Sequence, residues 1–334
     1  MAGIKKKDDN IESSVEEEII KPKSGGIKKK EISLSSIKDK FSTKTKYKEI
    51  EFYSCGEAFF DACGLPGPVL GGINMYLGHS NSSKTTAMIL AAVSAQKKGH
   101  LPVFIITEKK WSFEHSVELG LDAKKLPDGS WDGNFLFNDS FDTIEQATDY
   151  INELLDAQEK GDLPYSLAFF WDSIGSLPCQ MTFDGKGGGM HNAKVLADKI
   201  GMGIHSRISK SKKDDYPYYN TLTVIVQPWV ELPDSPFGQP TIKPKGGNAL
   251  YLAASLVFLF GNQKNAGINH ITATKNGRTV SYAVRTKVSI LKNHVNGIAY
   301  RILKLLRFLK VISLIQKKKL RNIKKSIRNI GTRY

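Results

Sequence analysis

The segment Gly78–Thr86 contains residue types that suit phosphate binding. It combines a glycine, small polar residues, a lysine and two threonines, and it follows the apolar, strand-like run Ile73–Leu77. A run of small residues with helical character comes directly after it. A loop between a strand and a helix turns its backbone N–H groups towards phosphate oxygens, and the helix dipole also favours negative charge there. The segment therefore predicts a nucleotide phosphate site.

Two side chains in this loop have expected roles. Lys84 is expected to reach the β- and γ-phosphates, and the Thr85 hydroxyl is expected to help hold Mg²⁺. Loops of this type usually have a glycine just before the lysine, but Ser83 occupies that position and must accept whatever backbone angle the loop imposes. A serine-rich turn before an ordinary helix is the alternative interpretation. The residues predicted to bind nucleotide in the loop are Gly78, His79, Ser80, Asn81, Ser82, Ser83, Lys84, Thr85 and Thr86.

Five apolar runs have the composition of buried parallel strands, because they are apolar on both faces. Three stretches between them have helical spacing. Strands that alternate with helices predict an α/β fold, in which a mostly parallel twisted sheet is flanked by helices and binds ligands at the carboxyl ends of its strands. The predicted strands are 73–77, 103–107, 167–171, 222–226 and 256–260, and the predicted helices are 85–97, 143–160 and 193–210.

Polar side chains follow three of these strands. Asp172 has the position expected of an acid that organises Mg²⁺, and Glu108 is the candidate for polarising an attacking water. Gln227 is the candidate for sensing a γ-phosphate and passing that information to the residues after it. Each residue alone could simply cap a turn or end a strand. Beside a phosphate loop, the two acids predict nucleotide hydrolysis.

Two stretches, 178–192 and 228–247, interrupt the alternation of strands and helices. The first is rich in glycine and the second in proline, and both are expected to be long mobile loops on the ligand-binding side of the sheet. The alternative interpretation of each stretch is a disordered loop without a functional role. Basic residues interleaved with aromatic ones suit single-stranded nucleic acid through phosphate pairing and base stacking. The candidate nucleic-acid-binding residues are Lys186 and His191 in the first stretch and Trp229, Phe237, Lys243 and Lys245 in the second.

The charge and cysteine content limit the class of protein. The formal net charge of +15 predicts a polyanionic partner, although twelve of the basic residues lie in 301–334 without any acid. Three cysteines without metal-ligand spacing predict reduced thiols and a cytoplasmic location. The longest apolar run, Ala249–Phe260, is far shorter than the roughly 20 residues of a membrane helix. No secretory signal or membrane association is expected.

Composition divides the chain into three parts. Residues 1–45 predict a charged, flexible arm, residues 46–300 a core, and residues 301–334 a basic tail. Three interpretations of the tail stay open. It is a DNA-binding amphipathic helix, a helix that lies on a membrane surface, or translation past a normal boundary, as from an unspliced segment or a frameshift.

In order and spacing, several strings resemble the bacterial and phage RecA-type recombinases. They are the run 52–72 that leads into the phosphate loop, Glu108 after its strand, the string 171–177 around Asp172, Gln227, and Gly246-Gly247-Asn248-Ala249-Leu250. The resemblance covers residues 46–296, and the last string is its most specific short element. It implies a P-loop NTPase fold with a RecA-like core, which uses ATP and Mg²⁺.

The resemblance also implies roles for individual residues. Lys84, Thr85 and Asp172 become the nucleotide and Mg²⁺ residues, Glu108 the catalytic base and Gln227 the γ-phosphate sensor. The stretches 178–192 and 228–245 become loops that bind single-stranded DNA inside a helical filament, with ATP between neighbouring subunits. The DNA-binding set then includes Gly246, Gly247 and Asn248.

Two positions depart from the family pattern. His115 stands where the family usually has a tyrosine that stacks on adenine, and an imidazole can still stack. Lys292-Asn293-His294 resembles a Lys-Asn-Lys string that reaches the phosphates bound to the next subunit, and the histidine makes that contact weaker or dependent on pH.

The leading hypothesis is an ATP-dependent DNA recombinase that forms a homo-oligomeric filament on single-stranded DNA. It would pair that strand with homologous duplex DNA in recombination and repair, with a recombination mediator or a single-strand-binding protein as a further partner. A phage origin is expected from the divergent loop. Two alternatives stay open: a RecA-core helicase-type motor, and a paralogue that binds nucleotide and DNA with little turnover.

Overall fold

The computed structural model describes residues 33–231, 241–261, 268–275 and 278–295. Most of the predicted arm and all of the predicted tail lie outside these residues. The chain divides into two units, Met1–Lys46 and Tyr47–Tyr334. In the first unit, the described residues form one helix, α1 (Leu34–Phe41), whose N-cap Ser33 accepts a hydrogen bond from the Ser36 N–H and which has no buried residue.

The second unit contains the sheet and the remaining helices. Its described helices are α2 (Glu57–Cys63), α3 (Lys84–Lys97), α4 (Phe113–Glu118), α5 (Ile144–Lys160), α6 (Gln180–Phe183), α7 (Gly189–Leu196), α8 (His205–Lys210) and α9 (Asn248–Ala253). Its described strands are β1 (Ile73–Gly78), β2 (Leu101–Ile106), β3 (Ala123–Lys125), β4 (Trp131–Gly133), β5 (Leu136–Asn138), β6 (Leu167–Ile174), β7 (Thr221–Val226), β8 (Pro228–Glu231), β9 (Thr241–Pro244), β10 (Ala254–Phe260), β11 (Ile268–Lys275), β12 (Arg278–Thr286) and β13 (Val288–Asn293).

Seven strands form one sheet in the order β13-β10-β1-β7-β6-β2-β5. Every neighbouring pair is parallel except β13 against β10. All five predicted strands are present, and the predicted α/β class with a mostly parallel sheet is confirmed. Because β2, β6, β7 and β1 are parallel neighbours, their carboxyl ends share one edge of the sheet.

Helices cover both faces of this sheet, as the alternation of side chains along β1 shows. Tyr76 packs on the face covered by α2 and α3, whereas Met75 and Leu77 pack on the face covered by α5, α7 and α8. A strand between two helical layers has no face for water, so its apolar residues run without alternation. Among the described residues, no helix is long and apolar enough to cross a bilayer.

The structure corrects the prediction of two long, structureless loops. The stretch 178–192 contains α6 and the first turn of α7, and helical structure continues through a π-helical segment, Ala197–Ile204, into α8. The helix predicted over 193–210 therefore begins earlier, at Gly189. The stretch 228–247 contains an antiparallel hairpin, in which Pro228 pairs with Pro244 and Glu231 with Thr241. Pro228 and Pro244 are compatible with this pairing because they lie at the outer ends of a two-stranded ribbon, where proline is tolerated, and the other three prolines of the stretch lie outside the described residues.

A buried amide pair ties α5 to the beginning of β6 and β7. Asn220 Oδ1 accepts hydrogen bonds from the Leu167 N–H and from Gln158 Nε2, both at 2.9 Å, and Asn220 Nδ2 donates to Gln158 Oε1. Asn220 is fully buried and Gln158 nearly so. This network joins the starts of the two strands whose other ends carry Asp172 and Gln227.

Asn220→Ala should lower the free energy of unfolding by at least about 2 kcal/mol, because each buried polar group left unpaired costs about 1–3 kcal/mol. Urea denaturation measures the change. The control is Asn134→Ala, an exposed amide, which should change stability by less than about 0.5 kcal/mol. Equal effects of the two substitutions would contradict this role for the buried pair.

Candidate functional site

The predicted phosphate loop joins the end of β1 to the start of α3. Gly78 lies so close to β10 that a Cβ there would be 2.5 Å from the Phe260 carbonyl oxygen, so only glycine fits. Asn81 and Ser83 have left-handed backbone angles, with φ of 61° and 67°. Ser82 Oγ donates to the His79 carbonyl at 2.7 Å and closes the turn. The loop thus leads directly into the N-terminus of α3, a helix of 14 residues. Ser80 is exposed, and His79 and Thr86 are half-buried.

Lys84 extends into this loop and is only 7% exposed. Its Nζ donates to the His79 carbonyl at 2.7 Å and to Ser82 Oγ at 3.4 Å. Burial lowers the pKa of Lys84, although nearby Asp172 and Glu108 oppose that effect. A buried ammonium is costly unless an anion balances it, and in the described part of the chain its hydrogen-bond partners are neutral oxygens. The residues present therefore fit an anionic phosphate.

Thr85 and Asp172 form the pair predicted to hold Mg²⁺. Thr85 Oγ1 donates to Asp172 Oδ2 at 2.7 Å. Burial raises the pKa of Asp172 to about 6, while the Thr85 hydrogen bond opposes the shift. A hydroxyl and a carboxylate are oxygen ligands of the kind that Mg²⁺ prefers. The described residues hold no cluster of three or more metal-ligating His, Cys, Asp or Glu side chains, so an ion bound there would need phosphate oxygens and water to complete its shell.

Glu108 and Gln227 are in direct contact at the carboxyl edge of the sheet. Gln227 Nε2 donates to Glu108 Oε1 at 3.1 Å, and Ser173 Oγ donates to the same oxygen at 2.5 Å. Lys245 Nζ lies 3.4 Å from Gln227 Oε1, and the Lys245 N–H donates to the Gln227 carbonyl at 3.0 Å. One hydrogen-bonded chain therefore joins a predicted DNA-binding lysine, the predicted sensor and the predicted base.

Ser173 and Thr107 are two contributors to this arrangement that the sequence analysis missed. The register of β2 against β6 pairs Ile106 with Asp172, so Glu108 passes beside Ser173. Thr107 Oγ1 donates to the Ser173 carbonyl at 2.9 Å, and this hydrogen bond holds the residues after β2 against the end of β6. The sequence could have indicated Ser173 and Thr107, because both are hydroxyl residues near the end of an apolar strand.

The other predicted nucleotide residues lie on separate elements. His115 is exposed in the first turn of α4. Lys292 Nζ donates to the carbonyls of Tyr251 and Leu252, at 2.9 and 2.7 Å, near the end of α9. His294 is exposed, and its N–H donates to the Ser255 carbonyl. No hydrogen bond between described atoms joins these three side chains to the phosphate loop, so their roles stay predictions.

In the first predicted DNA stretch, Lys186 is exposed between α6 and α7, and His191 is exposed on α7, where its Nδ1 accepts from the Gly188 N–H at 3.2 Å. The sequence analysis missed two apolar residues beside them. Phe183 is 58% exposed and Met190 is 88% exposed. Exposed apolar side chains beside basic ones suit stacking on unpaired bases, and their signal was an apolar residue in a glycine-rich polar stretch.

In the second predicted DNA stretch, Trp229 pairs with Lys243 across the β8–β9 hairpin, and Lys243 and Lys245 are exposed. Phe237 lies outside the described residues, as does the side chain of Trp229. Gly246 and Gly247 follow with φ of 101° and 89°, a conformation that favours glycine, and they lead into α9 at the exposed Asn248.

Comparison with known proteins supports a distant relationship to RecA. A RecA protein of Bdellovibrio bacteriovorus is 25% identical over 286 residues, which is 82% of this chain and 67% of that protein. A RecA protein of Streptococcus pyogenes serotype M5 is 25% identical over 251 residues, which is 74% of this chain and 58% of that protein. This chain thus spans less than two thirds of the streptococcal protein. No family model matches the chain.

Ser83→Gly should raise the free energy of unfolding by about 0.5–1 kcal/mol. Removing the Cβ relieves a left-handed conformation that costs about 1–2 kcal/mol, and the added freedom of the unfolded chain offsets about 0.4–1 kcal/mol of that gain. Chemical denaturation measures the change. The matched control is Ser82→Gly, which loses the hydrogen bond to His79 without relieving strain and should destabilise by about 1 kcal/mol. The same sign for both variants would contradict strain at Ser83.

Proposed function

We propose that the chain is a RecA-type, ATP-dependent DNA recombinase that forms a filament on single-stranded DNA and pairs it with homologous duplex. The observation that carries the proposal is the hydrogen-bonded chain from Lys245 through Gln227 to Glu108, beside the Lys84 and Thr85–Asp172 groups. A phosphate site alone fits any nucleotide-binding protein. A link from a basic hairpin residue to the candidate base supports a nucleotide site that responds to a polyanion.

Each group near the phosphate loop has a defined task in this proposal. Lys84 binds the β- and γ-phosphates, and the Asp172 carboxylate and Thr85 hydroxyl hold Mg²⁺. When bound, Mg²⁺ neutralises charge that develops on the phosphate oxygens. Glu108 accepts a proton from the attacking water. His115 stacks on adenine, while Lys292 and His294 approach nucleotide on a neighbouring subunit.

The hydrogen bonds around Glu108 indicate how DNA would act on turnover. Glu108 Oε1 already accepts hydrogen bonds from Ser173 and Gln227, so an attacking water must compete with both donors for this oxygen. A DNA phosphate competes with Gln227 for the Lys245 ammonium, because a charged acceptor makes a stronger hydrogen bond than an amide. Withdrawal of Lys245 frees the Gln227 amide to rotate towards the γ-phosphate.

The surface for single-stranded DNA combines both predicted stretches. Lys186, His191, Lys243 and Lys245 supply cations to the backbone, and Phe183 and Met190 supply apolar surface to the bases. Trp229, Phe237 and the segment Gly246, Gly247 and Asn248 complete the proposed set. We place the protein in the cytoplasm, that of the host if it is encoded by a phage, with mediator or single-strand-binding proteins as further partners.

A second candidate function is a paralogue that binds nucleotide and DNA with little turnover. The observation in its favour is the left-handed Ser83 next to Lys84, because strain beside this lysine works against the exact placement of its ammonium that turnover needs. The two candidates differ in steady-state hydrolysis and agree in binding.

ATP hydrolysis by the full chain with and without single-stranded DNA tests the proposal directly. DNA should stimulate turnover, and Lys84→Ala should abolish the stimulated rate. Binding of ATP and DNA without stimulation, in a chain shown to be folded by circular dichroism, would favour the paralogue.

Glu108→Gln should lower the DNA-stimulated turnover by at least about 100-fold, because a positioned general base contributes about 10²–10⁴. ATP affinity should stay within about threefold of the original, since the amide keeps the shape and the hydrogen bond from Ser173. Equilibrium binding and steady-state hydrolysis on the same preparation separate the two effects. Unchanged turnover would show that Glu108 is not the base.

Lys245→Met should reduce the ratio of DNA-stimulated to basal turnover towards one, because it removes the hydrogen bond to Gln227. The matched control is Lys243→Met on the same hairpin. Each variant should reduce the slope of the logarithm of DNA affinity against the logarithm of salt concentration by about 1, because one phosphate contact is lost. Only Lys245→Met should also reduce the ratio of DNA-stimulated to basal turnover. Equal reduction of the ratio in both variants would mean that Lys245 acts only through DNA affinity.

A further inference from the structure

Helix α4 is held in place by its neighbours rather than by its own stability. It has only six residues, and Ser116 is its only fully buried residue. A helix this short is unstable by itself in water. The position of α4, and hence of His115, therefore depends on what packs against its first turn.

Aromatic rings surround that first turn. Phe113, the first residue of α4, lies nearly parallel to Trp131, with ring centroids 5.2 Å apart and an interplanar angle of 16°. The centroid of its ring also lies 5.6 Å from that of Phe135 and 4.9 Å from that of Phe137. Phe137 pairs in register with Phe104 of β2, so this cluster attaches α4 to the main sheet.

Trp131 belongs to the small β3–β4 hairpin, which stands outside that sheet. Its backbone partner is Lys125, whose ammonium lies 5.7 Å from the Trp131 ring centroid. Lys125 also forms an ion pair with Glu114 of α4 at 3.7 Å. This pair is solvent-exposed and contributes little by itself, so the stacked rings are the stronger of these two contacts between the hairpin and α4.

His115 is two residues beyond Phe113. Its backbone N–H donates to Ser112 Oγ at 3.1 Å, which fixes the first turn, and its imidazole is exposed. The imidazole therefore moves with α4, and α4 moves with the Phe113–Trp131 pair.

We infer that Trp131 is a positioning residue for the base of the bound nucleotide: its stack on Phe113 holds α4 so that His115 meets a purine base. This inference rests on the proposed function, which assigns base stacking to His115. Trp131 does not itself receive the base, because Phe113 stacks on its ring and Lys125 also lies against it. Its loss should remove the base-dependent part of nucleotide affinity and spare the phosphate-dependent part.

The test compares two ligands on the full chain, ATP and inorganic tripolyphosphate, each with Mg²⁺, by isothermal titration calorimetry. Trp131→Ala should weaken ATP binding about fivefold or more, the range expected for loss of one base–aromatic stack. Binding of tripolyphosphate should stay within about twofold, because Lys84, Thr85 and Asp172 are untouched. Trp131→Phe should recover most of the ATP affinity, because a phenyl ring can still stack on Phe113.

A double substitution gives a second readout. In a His115→Ala background, Trp131→Ala should cause little further loss of ATP affinity, because both substitutions remove the same contact. If Trp131→Ala does not fold, Phe113→Leu tests the same pair from the α4 side and should show the same selective loss.

Several outcomes would overturn the inference. An equal loss of ATP and tripolyphosphate affinity would assign Trp131 a general structural role, and additive effects with His115→Ala would separate the two residues. An original chain that binds ATP no more tightly than tripolyphosphate would show that no base contact exists. Failure to bind either ligand would instead overturn the proposed function, and the inference with it.

Discussion

The rest of the site depends on the burial of the Lys84 ammonium between a strand and a helix. Its hydrogen-bond partners among the described residues are a carbonyl and a hydroxyl oxygen, which accept from two of its three N–H groups without balancing its charge. Burying a charge without a counter-charge costs several kcal/mol. The two acids whose charges act on Lys84, Asp172 and Glu108, lie at the ends of neighbouring strands. The charge of Lys84 is therefore offset in part by the two acids, and an anionic ligand in the loop would offset the remainder.

That balance explains why the sheet must be parallel at its centre. Parallel strands place their carboxyl ends at one edge, and the shared edge lets β1, β6, β2 and β7 contribute Lys84, Asp172, Glu108 and Gln227 respectively. Reversing one strand would move its polar residue to the opposite edge, where the network around Asn220 lies. The fold therefore separates a buried amide network at one edge of the sheet from the charged groups Lys84, Asp172 and Glu108 at the other edge.

The sequence predicted the centre of this fold well, because its signals there are local and redundant. Each of the five predicted strands is apolar on both faces, and a polar residue follows three of them, so the positions of Asp172, Glu108 and Gln227 were predicted together with their strands. The hairpin at β8–β9 was missed because five prolines in 228–247 indicated a loop, and the composition of this stretch does not predict the pairing of Trp229 with Lys243. The β3–β4 hairpin gave no usable signal, because strands of three residues are too short for periodicity to detect.

Side-chain contacts were harder to predict than positions. Gln227 was expected to face a γ-phosphate, but its amide is bound at both ends, to Glu108 and to Lys245. These contacts depend on how close the ends of β2 and β7 and the β8–β9 hairpin lie to one another. The sequence of one segment alone does not predict that distance. An amide bound at both ends can turn towards a phosphate only after losing a partner. The more exposed of the two partners is Lys245, so a ligand in solution reaches the hairpin end of this contact more readily than the Glu108 end.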